Sequence, residues 1–198
     1  IVILGAGFGG IRAALDLSKK LGGKVEITLI DRNNYHLFTP ALYEVATANG
    51  VAHNKYNTVL RATISIPLSS IFDGKKVNTV QGNIENVDLD NKFVETSGGN
   101  KFEYDYLIIG MGAETSFLGI PGAQEYALNL KNINDAVFIN EEINRVFDKL
   151  IQEGKSEKPA KFVIVGGGFT GVEVAAELGC CLKRKTKTCG TESGLCTS

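Results

Sequence analysis

Three glycines near the start of the chain, Gly5, Gly7 and Gly10, stand at the spacing G-x-G-x-x-G. That pattern suits one kind of chemistry, bringing backbone N–H groups against a diphosphate. The first glycine permits a tight turn and the second lets the backbone approach the phosphates. The third lets a following helix pack closely on the preceding strand. Such a helix start adds free N–H groups and partial positive charge. Asp31 follows Gly10 by 21 residues, the offset at which a carboxylate can accept hydrogen bonds from a ribose diol. A tight-packing turn with no ligand would use the same glycines, but strand, turn, helix and acid together favour a nucleotide. The spacing returns at Gly166, Gly168 and Gly171. Two such turns imply two nucleotides and electrons passed between them; a duplication that lost one ligand is the alternative.

The elements needed to hold these residues are legible around them. Ile1–Leu4 is an apolar run without polar alternation, the pattern of a parallel strand buried on both faces. Residues 8–21 carry the stripe Ile11, Ala14, Leu15, Leu17, Leu21 and read as a helix ended by Gly22-Gly23. Val25–Ile30 is a second apolar strand closing on Asp31, which completes a βαβ unit. A helix is expected through Leu42–Ala46, then a short strand and helix across Ile64–Phe72, while Gly50–Arg61 is polar and gives no assignment. Val77–Val80, Ile84–Val87, Lys92–Thr96 and Lys101–Tyr104 read as an antiparallel meander, with Asp90-Asn91 and Gly98-Gly99-Asn100 as hairpin turns. Tyr106–Ile109 returns to the buried-strand pattern and Gly119–Gly122 is a turn. Asn134–Ile151 is an amphipathic helix, and Gly154–Pro159 is the expected linker. Phe162–Val165 then repeats the opening as a strand, before a helix over Val172–Leu182. The expected fold is α/β: a Rossmann-like domain with a β-meander over 1–153, then the start of a second Rossmann-like domain over 154–198.

Glu173 is placed in the first turn of that last helix. Two readings stand: compensation of the helix dipole, or a polar contact beside a bound nicotinamide or flavin edge. Glu192 lies 21 residues after Gly171, but Thr186–Thr191 holds no apolar strand to carry it, so that spacing is a coincidence. His36 and His53 have no acid or nucleophile placed to pair with them, and neither is assigned a role. All four cysteines fall within 180–196 and match no zinc spacing. Their absence from the body of the chain argues for a reducing, cytoplasmic compartment and against thiol–disulfide chemistry. A formal net charge of −1 gives no electrostatic case for nucleic acid, and no run approaches the ~20 apolar residues of a membrane-spanning helix. The opening on a strand rather than on Met suggests clipping at the N-terminus.

With both glycine turns in place, the chain resembles the two-dinucleotide flavoproteins and, among them, the type II NADH dehydrogenases. The resemblance rests on Asp31–Pro40 with Leu42–Ala46, on Tyr104–Gly110, on Phe117–Gly122, and most specifically on Gly166–Leu178 with its run Thr170-Gly171-Val172-Glu173. It implies FAD held by Gly5, Gly7, Phe8, Gly9 and Gly10, with Asp31 and Arg32 around the adenosine. Thr39 and Pro40 would approach the flavin, Ile84 would meet adenine through its backbone, and Gly112 would close over the cofactor. NADH would lie on Gly166, Gly168, Thr170 and Gly171, with Glu173 as the acid near the nicotinamide. The implied reaction is hydride transfer from NADH to flavin, then reduction of a quinone. Sulfide:quinone or ferredoxin-type reduction, and a non-catalytic nucleotide-binding fragment, are the alternatives. The resemblance also implies peripheral contact with the inner face of a membrane through C-terminal elements beyond this chain, and it leaves room for a homodimer. From Cys180 to Ser198 the sequence departs from the family pattern, so the second domain is expected to be cut short there.

Overall fold

The computed structural model describes residues 1–48, 55–152 and 160–188. Contacts group the chain into two units, Ile1–Leu37 with Ser65–Glu114, and Phe38–Ile64 with Thr115–Ser198. The expected division at 153/154 and the expected linker Gly154–Pro159 lie outside the described residues, as do His53, Cys189, Glu192 and Cys196.

In the first unit, β1 (Val2–Leu4) leads through the glycine turn into α1 (Phe8–Leu21) and then β2 (Thr28–Asp31). The helix begins at the second glycine and ends where Gly22 turns left-handed at φ 58°, its N–H returning to Ser18 O. Lys19 and Lys20 occupy the last turn, where cations complement the dipole. A short antiparallel pair follows, β3 (Tyr35–Leu37) against β4 (Ser65–Pro67), with His36 opposite Ile66.

The main sheet has the order β5-β2-β1-β9, where β5 is Asn78–Gln81 and β9 is Leu107–Ile109, and every pairing is parallel. Here the expected meander is corrected. Its first segment, 77–80, pairs with β2 as an edge of the parallel sheet. The antiparallel sheet is three-stranded: β6 (Ile84–Asp88), β7 (Phe93–Thr96) and β8 (Lys101–Glu103). A four-residue strand with half-exposed residues looks alike in either setting, and only its neighbour decides.

Strand alternation sends Ile3 and Leu29 to one face of the sheet, where Ile11 and Ala14 of α1 pack with Leu68 and Phe72. Val2, Leu4 and Ile30 face the other way and meet Val94 of the meander. Burial on both faces explains why β1 reads as a continuous apolar run. Each of these fully buried aliphatic side chains contributes about 1.5–3 kcal/mol.

The second unit is helical. Thr39–Ala41 forms a 3-10 turn with Pro40 at its start, followed by α2 (Leu42–Thr47) and α3 (Lys55–Ile64). The stretch left unassigned by sequence is therefore helical from Lys55. After the turn through Gly122 come a one-turn helix α5 (Ala123–Tyr126), α6 (Ile133–Gln152) and α7 (Phe169–Thr188); between β4 and β5, the short α4 (Leu68–Ile71) belongs to the first unit. A capping box starts α6. Asn132 Oδ1 accepts from the Asn134 and Asp135 N–H groups, and Asp135 Oδ2 accepts back from the Lys131 and Asn132 N–H groups. Buried Asn140 on α6 donates to Ala46 O and Ala48 O at 3.3 and 2.9 Å, closing the carboxyl end of α2. Ile143 and Phe147 of α6 pack with Leu178 of α7.

Two expectations fail here. Phe162–Val165 forms no strand, and Val163 and Val165 are exposed. No strand pairs with this segment among the described residues, so its backbone lacks the ladder that would define one. Helix α7 also starts three residues earlier than expected, and it runs on to Thr188 through the lysine-rich stretch.

Candidate functional site

The first glycine turn sits at the carboxyl end of β1, between β2 on one side and β9 on the other. This is the point at which the strand order reverses, and open α/β sheets bind ligands there. Gly5 N–H donates to Ile30 O at 2.8 Å and Gly110 N–H to Leu4 O at 2.7 Å. Gly5 takes φ +95°, and a side chain on it would strike the Gly110 carbonyl oxygen. One on Gly10 would strike Gly5 O. Gly5 is therefore required by torsion as well as by space, and Gly10 by space alone. Gly5 and Ala6 are buried while Gly7, Phe8 and Gly9 are exposed, which leaves the amino end of α1 open.

Asp31 turns towards this loop. Its Oδ2 accepts from Ala6 N–H at 2.7 Å and its Oδ1 from Asn33 N–H at 2.7 Å. A carboxylate offers about four acceptor positions, so two backbone bonds leave capacity for a diol. Arg32 is exposed and sits 3.6 Å from Glu114 in a solvent-facing ion pair of little energetic weight. Gly82 N–H donates to Asp31 O, which sets the chain to begin β6 at Ile84 close after the end of β2. Gly112 is exposed with φ +76° and open space around its α-carbon. Gly5, Gly7, Gly10 and Asp31 thus converge on one loop.

The second turn repeats the first in detail. Gly166 takes φ +109°, and a side chain on Gly171 would strike Gly166 O. Such a β-carbon would lie 3.7 Å from Ile164 Cγ2, as one on Gly10 would lie 3.5 Å from Ile3 Cγ2. Val172 N–H donates to Gly168 O at 3.1 Å, just as Ile11 N–H donates to Gly7 O at 3.1 Å. Either turn offers what a diphosphate needs: a close backbone approach and a free helix start. Among the described residues, an acid at the end of a second strand stands beside the first turn alone.

The family described as pyridine nucleotide-disulphide oxidoreductase matches residues 1–188. The chain belongs to this family. It is 30% identical over 180 residues to the type II NADH:quinone oxidoreductase of Staphylococcus saprophyticus, covering 90% of this chain and 42% of that protein. The structure of NDH2 from Plasmodium falciparum in complex with NADH superposes with a TM-score of 0.70 at 27% identity, over 94% of this chain and 38% of that one. The sulfide:quinone oxidoreductase of Aquifex aeolicus gives a TM-score of 0.60 at 28% identity, over 74% and 32%. The chain thus spans about two fifths of the length of the curated relative.

For a pyridine nucleotide-disulphide oxidoreductase, the remaining expected residues fall in the second unit. Thr39 and Pro40 are exposed on the 3-10 turn, and Thr170 follows Phe169 at the start of α7. Glu173 corrects an expectation. With α7 beginning at Phe169, it is the fifth helical residue, beyond the first turn where dipole compensation is strongest. Its charge instead reaches Tyr43 on α2. Desolvation first, then the carboxylates of Glu44 and Glu173, hold the Tyr43 phenol above its ordinary value. Sequence reasoning passed over two residues that the structure puts to use, His36 and Asn140. His36 is buried, with Nδ1 2.9 Å from Ala6 O and its ring edge-on to Phe8 at 4.8 Å. Its place in the stretch Tyr35–Phe38 marks a structured segment but not the carbonyl that it meets.

Proposed function

We propose that the first turn holds FAD and the second begins the site for NADH, in a protein that moves electrons from NADH through flavin to a quinone. The observation that carries this reading is the contact of Asp31 with Ala6 inside the glycine turn, at the reversal point of a parallel sheet. It supports the reading because a ribose diol and a diphosphate of one nucleotide need an acid and a glycine turn side by side. In this reading Gly5, Gly7, Phe8, Gly9 and Gly10 line the pyrophosphate, Asp31 and Arg32 the adenosine side, and Ile84 the adenine. Gly112, Thr39 and Pro40 take the flavin side. Gly166, Gly168, Thr170 and Gly171 receive NADH, with Glu173 as its neighbouring acid. Residues 1–153 then form the FAD domain, and 154–198 open the NADH domain. FAD, when bound, supplies the two-electron chemistry; the chain supplies placement and electrostatics. The relatives' names support quinone as acceptor, and in this reading contact with the inner face of a membrane belongs to C-terminal elements beyond this chain.

A second reading is flavin binding without NADH oxidation. It is favoured by the exposed, unladdered segment before the second turn. One experiment separates the two. The purified chain is expected to release FAD on denaturation, and NADH is expected to bleach the flavin absorbance before added quinone restores it. Bound FAD that NADH leaves oxidised would establish the second reading, and absence of flavin would remove both.

A further inference from the structure

The loop that carries the first site is held by two side chains, and only one of them is the diol-binding acid. Ala6 N–H donates to Asp31, while Ala6 O faces His36 Nδ1 at 2.9 Å. A carbonyl oxygen accepts only, so Nδ1 carries the proton in this contact. The two bonds lie on successive peptide planes, Gly5–Ala6 and Ala6–Gly7. A trans peptide is planar with its C=O and N–H opposed, so fixing Ala6 O also aims the N–H of Gly7 away from His36. Gly7 is exposed, and its N–H has no protein acceptor among the described residues. His36 is itself rigidly placed, buried in β3, paired through Ile66 of β4 and braced by Phe8.

We propose that His36 is a positioning residue for the pyrophosphate, locking the Ala6–Gly7 peptide so that the Gly7 N–H is presented to the ligand before it arrives. This rests on the FAD reading of the first turn. Pre-ordering of the donor removes a cost that would otherwise be met on binding. The side-chain nitrogen of Asn lies the same number of bonds from the backbone as Nδ1, whereas that of Gln lies one bond further out. The substitutions His36→Asn, His36→Gln and His36→Leu therefore separate the hydrogen bond from the ring.

The full chain and these variants are titrated with FAD by quenching of flavin fluorescence. Backbone hydrogen exchange is followed over residues 1–11 of the ligand-free proteins, with circular dichroism as the check on folding. The expected result is a loss of affinity of about tenfold for the Gln and Leu variants with faster exchange at residues 5–8, and an Asn variant within about threefold of the parent. Gln and Leu variants that bind FAD like the parent, or an Asn variant as weak as Leu, would overturn the proposal. If the Leu variant does not fold, the Asn–Gln pair decides. A parent chain that binds no FAD would end the flavin reading, while the exchange data alone would still show whether His36 locks the loop.

Discussion

Set side by side, Gly5–Gly10 and Gly166–Gly171 differ in almost nothing local. Both begin on a left-handed glycine, pack the third glycine against the carbonyl of the first, and launch a helix with the same backbone bond. Their surroundings differ in almost everything. Leu4, before the first turn, is fully buried in a four-stranded sheet, whereas Val165, at the matching place before the second, is 77% exposed and unpaired. Turn geometry follows from where glycine stands in the sequence. Strand identity is conferred by neighbours.

The largest test of this contrast is a matched pair of lysines. Leu4→Lys drives an ammonium into a dry site and is expected to cost more than about 4 kcal/mol, abolishing the fold. Val165→Lys is expected to change stability by less than about 0.5 kcal/mol. Equal losses in urea denaturation would break the comparison. Next come the crowded glycines. Gly10→Ala forces a β-carbon onto backbone held by β2 and β9, with an expected cost of about 2–3 kcal/mol. Gly171→Ala meets the equivalent carbonyl, that of Gly166, but no strand pairing holds the segment before it among the described residues, so a loss under about 1 kcal/mol is expected.

Asp31→Ala follows, leaving the Ala6 and Asn33 N–H groups without their acceptor. A stability loss of about 1–2 kcal/mol is expected, together with FAD affinity reduced about tenfold or more by fluorescence titration. No acid in the described part of the second unit has a comparable bond to its glycine turn. The smallest effect compares one partly exposed carboxylate from each unit. Asn91, chiefly through its side-chain bond, holds Asp88 below the usual carboxylate range, and the bond from Arg145 does the same for Glu142. A lowered folded value means the stabilisation is complete above the unfolded range near about pH 4 and is lost as pH falls through the folded value. Asn91→Ala and Arg145→Ala should each raise the corresponding titration midpoint in carboxyl NMR and remove that acid dependence.

The parts of the fold that could be read from sequence share one property: their signal is short-range. The glycine spacings, the apolar runs of β1 and β2, the stripe of α1 and the turns at Asp90-Asn91 and Gly98-Gly99 each fall within a few residues. What escaped depends on distant partners. Residues 77–80 look like a meander strand until β2 is seen beside them. Phe162–Val165 looks like a strand until no partner is found. Helix α3 has too polar a sequence to show a stripe, and the start of α7 was hidden by the glycine at 171 inside its first turn. The role of His36 depends on a carbonyl 30 residues away, which no pattern around His36 discloses.

The Asn140 side chain closes α2 from 94 residues downstream, and this separation has a consequence for biosynthesis. A six-residue helix cannot persist by itself in water, so α2 waits for α6 to emerge from the ribosome. At about 5–20 residues per second the wait is on the order of 5–20 s, during which Leu42, Val45 and Ala46 lack the cover they have in the folded chain. Nascent chains stalled with residue 140 inside and outside the exit tunnel should therefore differ in protease sensitivity at α2, which becomes resistant only in the second case.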